Sequence, residues 1–162
     1  ANGLTAFFAL RELKGLQGLG KVDNFKIHLY DSWLPIREDD LLSTEKGLAG
    51  GYDDINLDKT KNNLAEFSED TAYYKGYIPE IFESKPVSID SVAYLHIDLN
   101  AAKPTQAALE YYYSKVMRGG VILFDDYGWD SYRETKEMID NFFKDKPGML
   151  MPLPTPQAIY YR

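Results

Sequence analysis

Acidic side chains follow two apolar segments of this chain, at the point where each segment ends. Asp98 and Asn100 come after the first segment, and Asp125 and Asp126 come directly after the second. Three clustered carboxylates repel one another unless a positive charge lies between them, and their oxygens suit a hard divalent cation. The pattern therefore indicates a site for Mg²⁺, with Mn²⁺ or Ca²⁺ as alternatives. Asn100 could add a neutral oxygen ligand or contact a substrate, and one member of the adjacent aspartate pair could cap the loop instead of binding metal.

The elements around these residues must bring them together. We predict strands over 91–97 and 121–124, with a helix over 104–117 between them that the glycines at 119–120 close. Two strands joined by one helix are parallel neighbours with a right-handed crossover. Their carboxyl ends lie on the same edge of the sheet, with the strands roughly 4.8 Å apart. Open α/β sheets bind ligands at such an edge, so we expect the three aspartates to converge there.

The rest of the chain continues this alternation of strands and helices. We predict helices over 4–16, 57–67, 78–82 and 131–143, strands over 25–30 and 72–76, and a terminal hairpin formed by 149–153 and 158–161. Ser131 and Glu134 have the spacing of a capping box at the start of the last helix. The acidic segment 38–54 is predicted to be a mobile loop or a short helix that could act as a lid. The pattern predicts one domain over 1–162 with a three-layer α/β fold and a mostly parallel sheet.

Composition argues against several classes of function. Of the 162 residues, 44% are apolar and 14% aromatic, which is enough for a folded core. No apolar run approaches the ~20 residues that a membrane span needs. The net charge is −7 and there is no basic patch, so we expect neither a nucleic-acid nor a membrane partner. Cysteine is absent, which excludes thiolate metal ligands and disulfides and is compatible with the cytoplasmic location that we expect.

Another candidate lies after the strand predicted over 25–30. Asp31 follows it directly, at the place where nucleotide and adenosyl sites use an acidic residue to accept hydrogen bonds from ribose hydroxyls. A local turn or cap is the alternative role, because Asp is common after strands for that reason. Ser32 is a weaker candidate beside it, and Trp33 could stack near an adenine or belong to the core.

Taken in order, these motifs resemble the class I S-adenosylmethionine-dependent methyltransferases, specifically the metal-dependent macrocin O-methyltransferase type that acts on sugar and natural-product hydroxyls. The segments that carry the resemblance are 27–33 (Ile-His-Leu-Tyr-Asp-Ser-Trp), 75–79 (Lys-Gly-Tyr-Ile-Pro), 96–98 (His-Ile-Asp) and 125–128 (Asp-Asp-Tyr-Gly). The terminal hairpin is similar to the antiparallel sixth and seventh strands of that Rossmann-like fold. Asn100 and Ala101 depart from the family, which usually carries Asp and Tyr at these positions.

The resemblance implies methyl transfer from S-adenosylmethionine to a hydroxyl of a sugar or small natural product. It implies that Asp98, Asp125 and Asp126 hold Mg²⁺ or another divalent cation. It also implies that Asp98 accepts the proton of the attacking hydroxyl. The remaining partner that we expect is a second copy of the chain, because a homo-oligomer is compatible with the sequence.

The resemblance further implies that Gly3, Asp31 and Ser32 contact S-adenosylmethionine. Gly3 would let the backbone approach the methionine part of the cofactor, and the alternative is that it belongs to a flexible end. The chain would begin within the glycine-rich loop of the family, with residues 1–3 as its last turn. We therefore expect the first strand and most of that loop to be missing, and the chain to be part of a longer protein.

Two other functions stay open. Asp98 and Asn100 resemble the Asp-x-Asp element of sugar-nucleotide glycosyltransferases, although no basic residues surround them to meet phosphate and Asp31 would be unexplained. A non-catalytic module could use the same acidic edge to bind Ca²⁺ or a protein. His96 lies on the same side of its strand as Asp98, and it is more typical of a hydrogen-bonded core histidine than of a base.

Overall fold

A computed structural model describes residues 2–162, which form two compact units. The first unit contains the chain up to Pro35 together with Tyr52–Lys85, and the second contains Ile36–Gly51 and Pro86–Arg162. Among the described residues, no helix combines the length and the apolar character needed to cross a bilayer.

The first unit packs helices on a parallel pair of strands. Its elements are α1 (Leu4–Gly18), β1 (Ile27–Asp31), α2 (Leu57–Asn63), β2 (Thr71–Lys75) and α3 (Glu80–Ser84). β1 and β2 pair in parallel from Ile27 opposite Thr71 to Asp31 opposite Lys75. Leu10, Leu64 and Phe67 form a buried cluster, and apolar residues of β1 pack against it. This burial holds the strand that ends at Asp31.

The second unit is a four-stranded mixed sheet with two longer helices. Its elements are β3 (Val92–Ile97), α4 (Ala102–Tyr112), β4 (Val116–Phe124), α5 (Arg133–Phe143), β5 (Met149–Pro152) and β6 (Ala158–Tyr161). The strand order is β3-β4-β6-β5, with β3 and β4 parallel and β6 antiparallel to both of its neighbours. The parallel pair and the antiparallel terminal hairpin that the sequence predicts are both confirmed.

The two faces of this sheet differ in burial because side chains alternate along each strand. Ile122, Phe124 and Tyr160 are buried on one face. Phe143 of α5 covers them, with its ring stacked on Tyr160 at a centroid distance of 3.9 Å and edge-on to Phe124 at 5.9 Å. Aromatic packing thus fixes β4, the strand that leads into Asp125 and Asp126.

The predicted helix over 104–117 is too long. α4 ends at Tyr112, a 3-10 turn covers Tyr113–Lys115, and β4 begins at Val116. The glycines therefore lie inside a strand: Gly119 has a φ of 80°, and a Cβ on Gly120 would lie 3.1 Å from the Ala93 carbonyl oxygen. Their N–H and C=O groups pair with Arg162. A Gly-Gly pair can end a helix or permit a strand irregularity, and here the second role applies.

The predicted capping box is also wrong. A 3-10 turn over Asp130–Tyr132 precedes α5, and the residue at its N-cap makes no side-chain cap hydrogen bond. Glu134 accepts instead from the backbone N–H of Thr44 at 2.9 Å and from the hydroxyls of Ser43 and Thr44. The Glu134 carboxylate therefore binds a distant segment of the chain and does not cap the start of its own helix.

The acidic segment is hydrogen-bonded into the second unit, which argues against a free lid. It contains two short 3-10 turns, Glu38–Asp40 and Lys46–Leu48, in keeping with the short-helix alternative. We call Ile36–Gly51 the anchor segment. Besides the bonds to Glu134, it accepts a hydrogen bond from Lys103 Nζ at the Asp39 carbonyl.

Candidate functional site

Three carboxylates lie together at the carboxyl ends of β3 and β4. Asp98, Asp125 and Asp126 each place one oxygen within 4.8 Å of the others. The parallel register explains this convergence, because Ile97 lies opposite Phe124 and the next residues of both strands leave the sheet at one edge. Asp98 is exposed, Asp125 is half-buried and Asp126 is buried. The structure thus brings together the residues that the sequence nominates, and their role as metal ligands stays a prediction.

Asn100 supplies hydrogen-bond donors to the cluster. Its backbone N–H donates to Oδ2 of Asp126 at 2.9 Å, and its side-chain Nδ2 lies 3.1–3.2 Å from both oxygens of the same carboxylate. Nδ2 also donates to the Tyr132 hydroxyl at 3.2 Å. The residue has a φ of 54°, a left-handed conformation that Asn tolerates well. Asn100 therefore orients the Asp126 carboxylate and joins the two turns, and which member of the aspartate pair binds a metal stays a prediction.

The Asp126 carboxyl is the most perturbed acid of the cluster. Burial, then the charge of Asp98 and, more weakly, that of Asp125 raise its pKa from an ordinary 3.8 to about 7, although hydrogen bonds from Asn100 act in the opposite direction. Desolvation and like charges both disfavour the ionised form. A cation at the cluster would favour the ionised form against both effects, so this carboxyl fits a metal site better than a solvated rim.

Asp125 is held by a residue that the sequence reasoning missed. Gln157 donates from Nε2 to Oδ1 of Asp125 at 2.6 Å. The signal was present in the predicted hairpin, since β6 begins at Ala158 opposite Phe124 and so places residue 157 beside Asp125. This contact holds one oxygen of the half-buried carboxylate in place.

His96 departs from the hydrogen-bonded core role that the sequence favours. Its Nε2 is buried and has no hydrogen-bond partner in the described part of the chain. The same atom lies 3.9 Å from Oδ1 of Asp125. A buried polar atom without a partner is costly, which favours a ligand or a bound water at this edge. The oxygen donors and this orphaned nitrogen together fit a divalent cation site.

Asp31 lies in the first unit as the last residue of β1. Its Oδ1 accepts a hydrogen bond from the Trp33 N–H at 2.7 Å, which is the local turn role that the sequence allowed. Ser32 forms a similar turn, donating to the Leu34 carbonyl at 2.9 Å and accepting from its N–H at 3.1 Å. These turns orient both side chains at the end of the strand. As acceptors at a strand end, they fit the hydroxyls of a ribose.

Trp33 belongs to the core, as one of its two predicted roles required. It is only 3% exposed, and its indole Nε1 donates to the Thr60 hydroxyl at 2.9 Å. A buried indole N–H needs such a partner. The ring is therefore occupied inside the first unit and does not offer a stacking surface there.

The backbone conformation and packing at position 3 explain why a glycine stands there. It precedes α1 with a φ of 86°, and a Cβ at this position would lie 3.1 Å from Leu64 Cδ1 and 3.3 Å from Thr60 Cγ2. The positive φ and the close packing together favour glycine at this position. Its proposed contact with a cofactor stays a prediction, and Ala1, which the sequence places in the same turn, lies outside the described residues.

Residues 16–162 match the sequence model of the macrocin-O-methyltransferase (TylF) family. The chain belongs to this family. The match includes Asp31 and all three carboxylates of the cluster, whereas Gly3 lies before it. Membership of the macrocin-O-methyltransferase family confirms the resemblance drawn from the motifs. No curated protein sequence matches the chain.

Solved structures show the same fold. The O-methyltransferase NovP superimposes with a TM-score of 0.78 at 19% identity, over 95% of this chain and 66% of that one. The calicheamicin methyltransferase CalS11 gives a TM-score of 0.67 at 16% identity, over 91% of this chain and 65% of that one. At these identities the likeness establishes the methyltransferase α/β fold. The chain spans slightly less than two thirds of the length of these structures.

Proposed function

We propose that this member of the macrocin-O-methyltransferase family acts in S-adenosylmethionine-dependent O-methylation of a sugar or small natural product, with Mg²⁺ or a related divalent cation at Asp98, Asp125 and Asp126. The observation that carries the proposal is the convergence of these three carboxylates within 4.8 Å of one another. The family match alone does not indicate whether the protein binds a metal ion. The carboxylate cluster supplies an oxygen donor set that hard cations prefer.

Asp98 is the member of the cluster that we assign to proton transfer. It is exposed, whereas Asp125 is half-buried and Asp126 is buried. A hydroxyl is a poor nucleophile, and a bound divalent cation lowers the pKa of such a group. Asp98 would accept the proton that leaves, because it is the most exposed of the three carboxylates.

Asp31 and Ser32 are the residues that we assign to the methyl donor. When bound, S-adenosylmethionine supplies an electrophilic methyl group on sulfur. The Asp31 carboxylate would accept hydrogen bonds from the ribose hydroxyls, and its own bond from the Trp33 N–H at 2.7 Å holds its Oδ1 at the end of the strand. Holding a methyl donor and its acceptor in an in-line arrangement can lower the activation barrier by on the order of 7–11 kcal/mol.

The acceptor class rests on the family and on one related structure. CalS11 is described as a TDP-rhamnose 3'-O-methyltransferase, with a TM-score of 0.57 and 17% identity to this chain. This description supports a sugar hydroxyl as the first acceptor to test. The family match weighs against the glycosyltransferase alternative, and we keep a cytoplasmic location and a homo-oligomer as proposals.

Calorimetric titration separates the three candidate functions. The full-length protein is titrated with S-adenosylmethionine, with a sugar nucleotide such as UDP-glucose, and with MgCl₂ alone. The proposal expects heat from S-adenosylmethionine and from Mg²⁺. Binding of UDP-glucose together with Mn²⁺, without any binding of S-adenosylmethionine, would favour a glycosyltransferase, and binding of metal alone would favour a non-catalytic module.

A further inference from the structure

A second carboxyl group of the second unit lies outside the cluster and is completely buried. Glu45, in the anchor segment, has 0% of its surface exposed. Its Oε1 accepts hydrogen bonds from the Ala102 N–H at 3.0 Å and from the Thr135 hydroxyl at 2.6 Å. Its Oε2 accepts from the Leu42 N–H at 3.1 Å. Burying such a group is costly unless donors surround it, and here three donors converge on it.

One of these donors is the backbone N–H of Ala102, at the start of α4. Ala102 is the first residue of the helix, and Ala101 at its N-cap has no side chain that could satisfy the free N–H groups. Helix N-termini prefer a negative acceptor at this place. Glu45 therefore acts as a cap supplied from 57 residues away in the chain. A cap from outside the helix fixes where the helix begins, and so where the preceding turn ends.

That preceding turn carries part of the metal cluster. Asn100, two residues before Ala102, holds Asp126 through a backbone N–H bond of 2.9 Å. Its left-handed φ of 54° leaves little freedom to compensate if the helix start moves. The Tyr132 hydroxyl, which precedes α5, accepts from the Asn100 side chain. Glu45 contacts both α4 and, through Thr135, α5, so it ties together the two elements on which Asn100 depends.

We infer that Glu45 is a positioning residue for the cluster: it holds the N-terminus of α4 so that Asn100 keeps the Asp126 carboxylate beside Asp98 and Asp125. The inference rests on the proposed function only for the identity of the ligand, a divalent cation. Glu45 itself does not belong to the cluster.

The anchor segment also offers a matched control. Glu134 binds Ser43 and Thr44 of the same segment, next to Glu45, but its bonds are exposed and do not reach α4. Removing the Glu134 carboxylate loosens the segment without freeing Ala102. Glu45→Gln and Glu134→Gln therefore distinguish positioning of the cluster from general anchoring.

The test measures Mn²⁺ affinity by calorimetry, together with amide hydrogen exchange at Asn100 and Ala102, in the wild type and both variants. We expect Glu45→Gln to weaken Mn²⁺ binding about tenfold or more, as loss of a ligand-orienting partner typically does, and to accelerate exchange at both amides. Glu134→Gln should leave Mn²⁺ affinity within about twofold. If Glu45→Gln does not fold, Thr135→Val, which removes one donor only, should shift both readouts in the same direction by less.

Unchanged exchange at Asn100 in a folded Glu45→Gln protein would overturn the inference, and so would equal effects of the Glu45 and Glu134 variants on Mn²⁺ affinity. If the wild type binds no Mn²⁺, the metal part of the proposed function fails. Hydrogen exchange at Asn100 then still decides whether Glu45 positions this turn.

Discussion

The backbone N–H of Asn100 donates to Oδ2 of Asp126 at 2.9 Å, which joins the turn after β3 to the turn after β4. Two carboxylates on one strand end could otherwise move apart from the third to reduce repulsion. The bond holds the buried member of the cluster in place and partly offsets the burial and the neighbouring charges that raise its pKa. Metal affinity and stability should therefore both depend on this pair.

Replacing Asn100 by Asp tests that dependence and restores the residue that the family usually carries. The introduced carboxylate removes the Nδ2 donor and faces Asp126 with a like charge. Losing a bond to a charged group costs about 1.5–3 kcal/mol. We expect the melting temperature without metal to fall by several degrees and the rise on adding Mg²⁺ to exceed that of the wild type, as measured by thermal denaturation. An equal Mg²⁺ effect in both proteins would count against the cluster as the metal site.

The affinity for Mg²⁺ should increase with pH through the pKa of Asp126, which lies at about 7. Below this pH the carboxyl is protonated and the proton competes with the cation, so affinity should rise by up to about tenfold per pH unit toward the pKa and level off above it. Titration calorimetry at pH 6, 7 and 8 measures this. Asp126→Asn serves as the control and should abolish the slope.

The same group makes the stability of the metal-free protein depend on pH. Its folded pKa of about 7 exceeds the ordinary 3.8, so the native state binds the proton more tightly than the unfolded chain does. The contribution of Asp126 is then fully present below about pH 4 and is lost as pH rises toward 7. Saturating Mg²⁺ should remove this loss in thermal melts between pH 5 and 8. A metal-free protein whose Asp126→Asn variant shows an unchanged pH profile would contradict the assignment.

Gly3 and Gly15 form a matched pair for the packing around α1. Gly3→Ala places a methyl group 3.1 Å from Leu64 Cδ1 at a φ of 86° and should destabilise the fold by about 1–3 kcal/mol. Gly15, inside α1, has open space around its Cβ position, so Gly15→Ala should be neutral or stabilising by up to about 1 kcal/mol. Urea denaturation of both variants checks the sign. Similar losses at both positions would contradict the packing described for Gly3.

Asp31 should control donor binding without affecting the metal. Asp31→Asn weakens the acceptor for the ribose hydroxyls and should reduce S-adenosylmethionine affinity roughly 10- to 100-fold, the equivalent of one charged hydrogen bond. Its Mg²⁺ affinity should be unchanged. Asp23→Asn, an exposed change of the same charge in the same unit, is the control and should leave both affinities intact.

The sequence predicts the elements well where their patterns are regular. The apolar segments that end in acidic residues correctly predicted β3, β4 and the carboxylate cluster, and the terminal hairpin was predicted at the position of β5 and β6. The cluster could be predicted from the parallel pairing of β3 and β4 alone, because this pairing places the carboxyl ends of both strands at the same edge of the sheet. Asp31 was placed by the same logic at the end of β1.

The errors arise where distant contacts override local signals. Glu134 has capping-box spacing, but Thr44 offers it an N–H from 90 residues away. The Gly119-Gly120 pair suits a helix end and a strand irregularity equally, and only pairing with Arg162 selects the second. Glu45 lies in an acidic segment, and the residues next to it in the sequence do not indicate that three hydrogen-bond donors surround its carboxylate. Its role could therefore not be predicted.

The measurement that tests the central claim most directly is methyl transfer from labelled S-adenosylmethionine to a sugar hydroxyl, with Mg²⁺ and with EDTA, by the full-length wild type and its variants Asp98→Asn and, as an exposed control, Asp145→Asn. We expect EDTA to abolish transfer by the wild type and Mg²⁺ to restore it. Asp98→Asn should be inactive in both conditions and keep its donor affinity, whereas Asp145→Asn should behave as the wild type. Full turnover by Asp98→Asn in the presence of EDTA would contradict a metal-dependent mechanism at this cluster.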